Sequence, residues 1–523
     1  MAKPTGLSEE GKSQQEATAT NHHHLQPTTP AQRTSTAWDM ASLWISLVLD
    51  VPSYYIAGSL VEQGMAWWQG IIVVISAKIL LLFPLILTSH PGTRYGIPFP
   101  VLARSSFGIH GAHLPSFLRT LVACGWLGID TWIGAQGICL LLPHSIKDWT
   151  IAQQLPWLGT SPAEFLSYLL FSVVQLALSW NGMQGIKKME RYSAPILVLL
   201  MTLLLIWSYL KAGGFGPMLS QPSKLSSSEF WYLFFPSITA NIGNLAAIAL
   251  SIPDFTRYAR SQRDQVLGQL GLPVFMGCFA FIGLAVTSST TLIFGYAISN
   301  PITLLSKINN NSFTMIFFIP AITLVIVTTN IPANMVAPAN FFVSLNPKLF
   351  TFRKAALLTS VLGIAFQPWK IFGSTDSFVY TWLISYSVIM GPLSGIVLTD
   401  YYFVNRMRLN LDELYSLDAN GRYYYYKGWN LVAVGSFVIA VVPIVPGFLH
   451  KVGILKTLPE TLIFMYSVGW FFGFFTGSFM YGLLSLRWGP RRGVNGANTM
   501  CSSLHGPLLL SSVKGEVDES REI

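Results

Sequence analysis

Charge is what this chain has little of. Asp, Glu, Lys and Arg make up 11% of its 523 residues, where a soluble domain carries about 25%. A deficit that deep excludes an ordinary water-soluble protein, because much of the surface must face lipid. Cysteine is scarce too. Cys124, Cys139, Cys278 and Cys501 form no CxxC pair. The first three sit in apolar segments and read as small buried hydrophobes, which leaves no zinc or redox motif. There is no Walker loop, no GxSxG elbow, and no loop that sets paired carboxylates beside a nucleophile. Those absences argue against an ATP-driven pump and against an enzyme. The expectation is a protein without a cofactor, whose uphill work is driven by an ion gradient. Residues 1–37 lack an apolar core, so they make no secretory signal. Glu9, Glu10 and Glu16 count against a transit peptide.

What is present is apolar: 52% of residues are hydrophobic, and the mean hydropathy is +0.49. Twelve segments are long enough for a membrane helix, which needs roughly 20 apolar residues. They are 38–61, 67–88, 116–142, 163–180, 193–211, 231–252, 267–298, 313–338, 355–372, 377–398, 429–449 and 461–485. Trp67, Trp68, Trp157, Trp180 and Trp231 fall near segment ends, as interfacial anchors do. The net charge of +9 does not indicate a nucleic-acid binder, because the basic residues are spread over short loops rather than gathered in a patch. Lys and Arg concentrate in the loops that share a side with the two tails. That bias puts both termini on the cytoplasmic side and agrees with an even number of spans. Residues 1–37 and 487–523 read as tails, the first with His22, His23 and His24 as solvated side chains. The transporter domain is 38–486.

Polar residues interrupt the apolar runs. Asp50 and Pro52 lie inside the first segment, and a proline there removes a backbone donor and clashes with the preceding turn. Asn241, Gly243 and Asn244 lie at the centre of the sixth. Two interrupted helices five segments apart predict an inverted repeat with its site at the breaks, since unwound backbone is tolerable in a membrane only where it lines a cavity. A carboxyl at mid-bilayer costs about 2.5–3.5 kcal/mol on insertion scales and faces a cavity by default. Asp50 is one such group. Asp130 is another, and Trp126, four residues before it, shares its helix face. An indole beside a carboxyl makes a shelf for a flat polar ring, which stacks on the one and pairs its edge N–H groups with the other. In the eighth segment Thr328, Thr329, Asn330 and Asn334 are dense polar groups around Pro332. They suit either a hard cation or bonding between helices. Lys78 interrupts the second segment, where its options are to pair with an Asp or to reach toward water.

Several stretches match a known family in order. They are PGTRYGIPFPVLARSSFGIHGAHLP, GWLGIDTWIGAQ, NGMQGIKKMERYSAPIL, SIPDFTRYAR, TTNIPANMVAPAN and GPLSGIVLTDYYFVNRMRLNLDELY. From about Pro30 to Leu486 the chain resembles the nucleobase–cation symporter-1 family, in wording most like the plant-type purine and uracil permeases of plastid envelopes. The resemblance implies an all-α integral membrane protein of 12 transmembrane helices, a LeuT-like five-plus-five inverted repeat with two additional C-terminal helices. It implies a symporter for uracil, purines or allantoin, coupled to H+ or Na+, in the plastid envelope or the plasma membrane. Trp126 matches the substrate-stacking tryptophan, Asp130 the adjacent Gln or Glu, Asn334 the asparagine of helix eight, and Asp50 a contact in the helix-one break. The family's sodium site would use carbonyls of Ser46, Leu49 and Val325 and hydroxyls of Thr328 and Thr329. A second tryptophan usual in helix six is replaced by Leu245, preceded by Asn244. The pocket therefore loses one stacking face and gains acidity. Two carboxyls sharing one site do not both ionise readily, which would make one of them the proton carrier. Two alternatives are a vitamin or nucleoside carrier, for a cation such as thiamine, and a non-transporting nutrient sensor.

Overall fold

The computed structural model describes residues 25–488 apart from 49, 143–154, 156, 181–182, 309–322, 324–325, 328 and 347, with backbone alone at 46, 180, 183–194, 197, 332, 340, 344 and 488. Among the described residues the elements are helices, with no strand. Six helices are long and apolar enough to cross a membrane: Trp67–Tyr95, Pro162–Ser179, Ser227–Ser251, Gln262–Phe294, Asp376–Val404 and Leu431–Lys451. A bent pair, Glu460–Ser467 and Gly469–Arg487, meets at 85° and would make a seventh.

The first predicted span is broken where expected. Helix α1 (Ala37–Val48) ends before Asp50, and α2 (Val51–Glu62) begins after it. Asp50 is extended (φ −133°, ψ 163°), and its Oδ1 accepts the Ser53 N–H at 2.7 Å. An aspartate cap followed by a proline in the first turn is a strong helix start, because that turn has free N–H groups to satisfy and no use for the one proline lacks. The same residues that forbid one continuous helix therefore launch a second.

The second predicted break does not exist. Helix α3 (Trp67–Tyr95) is followed by α4 (His113–Leu141), α5 (Pro162–Trp180) and α6 (Ser227–Ser251). Helix α6 runs unbroken through Asn241, Gly243 and Asn244. Asn241 donates back to the Ser237 carbonyl at 2.9 Å, within the helix. Gly243 serves a crossing rather than a hinge: a Cβ there would sit 2.6 Å from the Leu383 carbonyl oxygen. Small residues let membrane helices approach this closely. The paired-break pattern thus reduces to one break in the first span.

A different distortion appears in the eighth. Ile331–Val336 is a π-helical turn leading into α7 (Ala337–Leu345). It follows from Pro332, which removes one backbone donor from the ladder, and such turns are frequent at functional sites. Helix α8 (Phe352–Ala365) crosses α4 at Gly363 and Gly128, where a Cβ on Gly128 would meet the Gly363 oxygen at 2.5 Å. Helices α9 (Ile384–Thr399) and α10 (Gly469–Trp488) pack backbone to backbone at Gly391 and Gly395.

The stretch just before the first span, read from sequence as tail, is held to the domain. Thr28 N–H donates to the Gly96 carbonyl (2.9 Å) and its hydroxyl to that of Arg257 (2.7 Å). Ser35 and the 258–260 segment exchange backbone bonds.

Candidate solute-binding site

The break in the first span opens on a cavity of about 540 Å3, open space at its mouth included. Its wall brings together Asp50 from the break, Trp126 and Asp130 from α4, Asn244 and Leu245 from α6, and Thr329 and Asn334 from the eighth segment. All six solute-binding candidates named from the sequence therefore surround one space. Of the cation-site candidates, Thr329 lies on this wall, and its hydroxyl donates to the Ile326 carbonyl at 3.2 Å. Leu49, Val325 and Thr328, and the side chain of Ser46, lie outside the described residues. Among the described residues no group of three His, Cys, Asp or Glu gathers to hold a metal ion.

The polar and aromatic wall residues are tied to neighbouring helices. The Trp126 indole N–H donates to the Tyr386 hydroxyl at 3.2 Å, and that hydroxyl donates to the Gly243 carbonyl of α6. Phe378 meets the indole edge-on, with centroids 5.9 Å apart. The ring plane is thus set by hydrogen bond and by packing. Trp126 is the one aromatic ring among the described lining residues, since Leu245 occupies the opposite helix.

Asp130 is buried and accepts the Asn334 side-chain amide at 3.2 Å. Asn334 also donates to Asn330 at 3.0 Å. Asn330 in turn donates to Gln175 (2.9 Å) on α5 and to the Leu127 carbonyl (3.2 Å) on α4. Gln175 closes the circuit by donating to Thr131 at 2.9 Å. The polar density of the eighth segment is therefore split. Asn330 bonds between helices, while Asn334 and Thr329 reach the cavity. On the other side Asn244 donates to the Ser53 hydroxyl at 3.2 Å, tying α6 to the start of α2 beside Asp50.

Two important residues, Arg119 and Tyr386, escaped the sequence reading, and Lys78 was noticed there without a settled partner. Lys78 on α3 is fully buried and donates to the Asn241 carbonyl at 2.6 Å, and its charge acts on Asp50. Its signal was a lysine in an apolar run, but its partner is a backbone oxygen 163 residues away. Arg119 lies seven residues before Trp126, on the same face of α4, and lines the cavity. That spacing was visible and went unused. Tyr386 carried no sequence signal, as a tyrosine in an apolar helix usually packs.

Comparison with known proteins accords with this geometry. A family model described as a permease for cytosine/purines, uracil, thiamine and allantoin matches residues 27–473. The chain is 56% identical over 485 residues to the purine-uracil permease NCS1 of Arabidopsis thaliana, spanning 93% of this chain and 80% of that protein. It is 33% identical over 482 residues to the allantoin permease of Bacillus subtilis, spanning 92% and 96%. The fold is similar to the inward-facing conformation of Mhp1, with a TM-score of 0.72 at 22% identity over 89% of this chain and 93% of that one. These relatives are permeases, not enzymes. The chain is an integral, multi-pass membrane transporter and belongs to the nucleobase–cation symporter-1 family, the permeases for cytosine/purines, uracil, thiamine and allantoin.

Proposed function

We propose that the protein is a secondary active symporter importing nucleobases or related small planar heterocycles, such as uracil, purines or allantoin, with a coupling cation, H+ rather than Na+. The supporting observation is the single cavity lined by Asp50, Trp126, Asp130, Asn244, Leu245 and Asn334. The ring stacks on Trp126, and its edge N–H and C=O groups pair with Asp130 and Asn334. Asp130 or Asp50 carries the proton, and rocking of one helix bundle against the other alternates access. Should sodium couple instead, Thr329 with Thr328 and the carbonyls of Ser46, Leu49 and Val325 would hold it.

The proposal includes 12 spans in a five-plus-five repeat with two further helices, both tails cytoplasmic, in the plastid envelope or plasma membrane. Uptake of radiolabelled uracil, adenine, guanine, cytosine and allantoin in permease-deficient cells tests it. Accumulation of at least one ring is expected. No uptake of any, with the protein correctly inserted, overturns it.

Tyr386→Phe provides a finer check. It removes the hydroxyl that orients the indole but keeps the ring. A hydrogen bond is worth about 0.5–1.5 kcal/mol net, so a rise in apparent KM of about two- to tenfold is expected. Uptake kinetics at matched surface levels measure it, and an unchanged KM would mean that packing alone sets the indole.

A further inference from the structure

The cavity contains a charge that the proposed stacking and proton-carrying roles do not use. Arg119 is 7% exposed and lines the same wall as Asp50, Trp126 and Asp130. Arginine has five N–H donors and no acceptor. Its Nε–H is taken by the Ser251 hydroxyl at 3.1 Å. Among the described residues nothing accepts from its terminal NH2 groups, and it makes no ion pair. Asp254, Asp130 and Asp50 each hold a hydrogen bond of their own. Asp254, whose charge acts on Arg119, accepts the Phe99 N–H at 2.8 Å. Burial holds the Asp254 carboxyl above the usual carboxylate range, against the opposing pull of that bond and of Arg257 and Arg119. Asp130 is bonded to Asn334 and Asp50 to Ser53.

The terminal NH2 groups are not sealed off inside the protein; on the cavity wall they can take an acceptor that arrives from outside. Its position fits a ring on the shelf. The spacing from Arg119 to Trp126 is seven residues on one helix face, a rise of about 10 Å. The Arg119 charge also acts on Tyr386, whose hydroxyl orients the indole. One end of the cavity therefore offers carboxyls that accept from ring N–H groups. The other offers a planar fork of donors, the geometry that elsewhere pairs in bidentate fashion with an oxo oxygen and its neighbouring ring nitrogen.

We propose that Arg119 determines specificity: its terminal NH2 groups bind an oxo or deprotonated oxygen on the ring solute, so the site takes neutral or anionic oxo rings and turns away cationic ones. This rests on the proposed transport of planar rings and narrows it. Two acids alone would favour a cationic ring, and Arg119 offsets them. A fixed positive charge repels a second one strongly where little water screens it. A site built to donate hydrogen bonds is also left unsatisfied by a solute without acceptors there.

The experiment is radiolabelled uracil uptake in permease-deficient cells by wild type, Arg119→Gln and Arg119→Lys, each with a fluorescent carboxyl-terminal fusion to normalise for surface protein. Unlabelled xanthine, an oxo ring, and thiamine, a cationic ring, serve as competitors. In wild type, xanthine is expected to compete and thiamine to fail. Arg119→Gln should raise the uracil KM about tenfold or more and let thiamine compete. Arg119→Lys, which keeps charge but loses the fork, should raise KM while thiamine stays excluded. Unchanged uracil KM and unchanged competitor ratio in an inserted Arg119→Gln variant would overturn the inference. If neither variant reaches the membrane, the wild-type competition decides, and thiamine competing as well as xanthine overturns it. Absence of wild-type uptake of uracil and equally of adenine, guanine, cytosine and allantoin removes the transport reading itself, whereas intact uptake with indifferent variants removes only the role of Arg119.

Discussion

Asp130→Asn is expected to abolish concentrative uptake while leaving the protein folded and inserted. The change is isosteric and keeps an acceptor for the Asn334 amide, which now bonds the carboxyl at 3.2 Å. The network behind it, through Asn330, Gln175 and Thr131, needs no charge at this position. What the change removes is the capacity to take up and release a proton inside the cavity. Each ~1.4 kcal/mol of coupled driving force is worth a tenfold accumulation, so a carrier that has lost its proton lets the solute only equilibrate. Uptake against an imposed pH gradient, compared with counterflow exchange at equal pH, separates the two steps. Exchange should survive within about an order of magnitude, since stacking on Trp126 and the Asn334 contact remain. An Asp130→Asn protein with unchanged pH dependence of accumulation would rule this carboxyl out as carrier. It would turn attention to Asp50 or to sodium at the Thr329 end of the cavity.

Lys78→Met is expected to have the largest effect on stability. The ammonium is fully buried, donates to the Asn241 carbonyl at 2.6 Å and acts electrostatically on Asp50. Methionine fills similar space without charge or donor. Leaving the buried Asn241 carbonyl without its charged donor costs about 1–3 kcal/mol, and Asp50 loses a positive charge that acts on it. Thermal unfolding of the purified protein in detergent should show a clear drop in transition temperature. A second substitution discriminates the cause. Asp50→Asn placed on the Lys78→Met background should recover part of the loss, since no uncompensated carboxylate then remains, and the cycle should be non-additive. Strict additivity would assign Lys78 to the α6 carbonyl alone. Lys78 thus anchors α6, the helix with Asn244 and Leu245, to α3, behind the break that presents Asp50.

The break at Asp50 and Pro52 was legible because both causes are local. Proline lacks an N–H, and an aspartate two residues earlier supplies the cap. The false break in α6 had the same appearance in one dimension. Asn241, Gly243 and Asn244 look like a hinge, yet Asn241 bonds back to Ser237, Gly243 admits the Leu383 backbone, and Asn244 reaches Ser53. Each of those partners other than Ser237 lies far along the chain, so no pattern within the segment distinguishes a hinge from a close crossing. The pairing of Trp126 with Asp130 was legible from helical spacing. The same spacing, extended seven residues back, reaches Arg119, but whether a basic residue there turns to the cavity or to lipid headgroups depends on α6, which supplies Ser251.

By itself the sequence determined that this chain lives in a membrane, is helical, and breaks its first span at a capped aspartate, because hydropathy, helical period and proline chemistry act over a few neighbouring residues. The family membership was likewise written in motifs that run the length of the chain. Only the tertiary structure decided that α6 is continuous and that Lys78, Arg119 and Tyr386 belong around the site. The reason is the same for all of them. Their roles are defined by carbonyls, hydroxyls and ring edges contributed from more than a hundred residues away, or by how close two helix backbones come, and packing alone sets those distances.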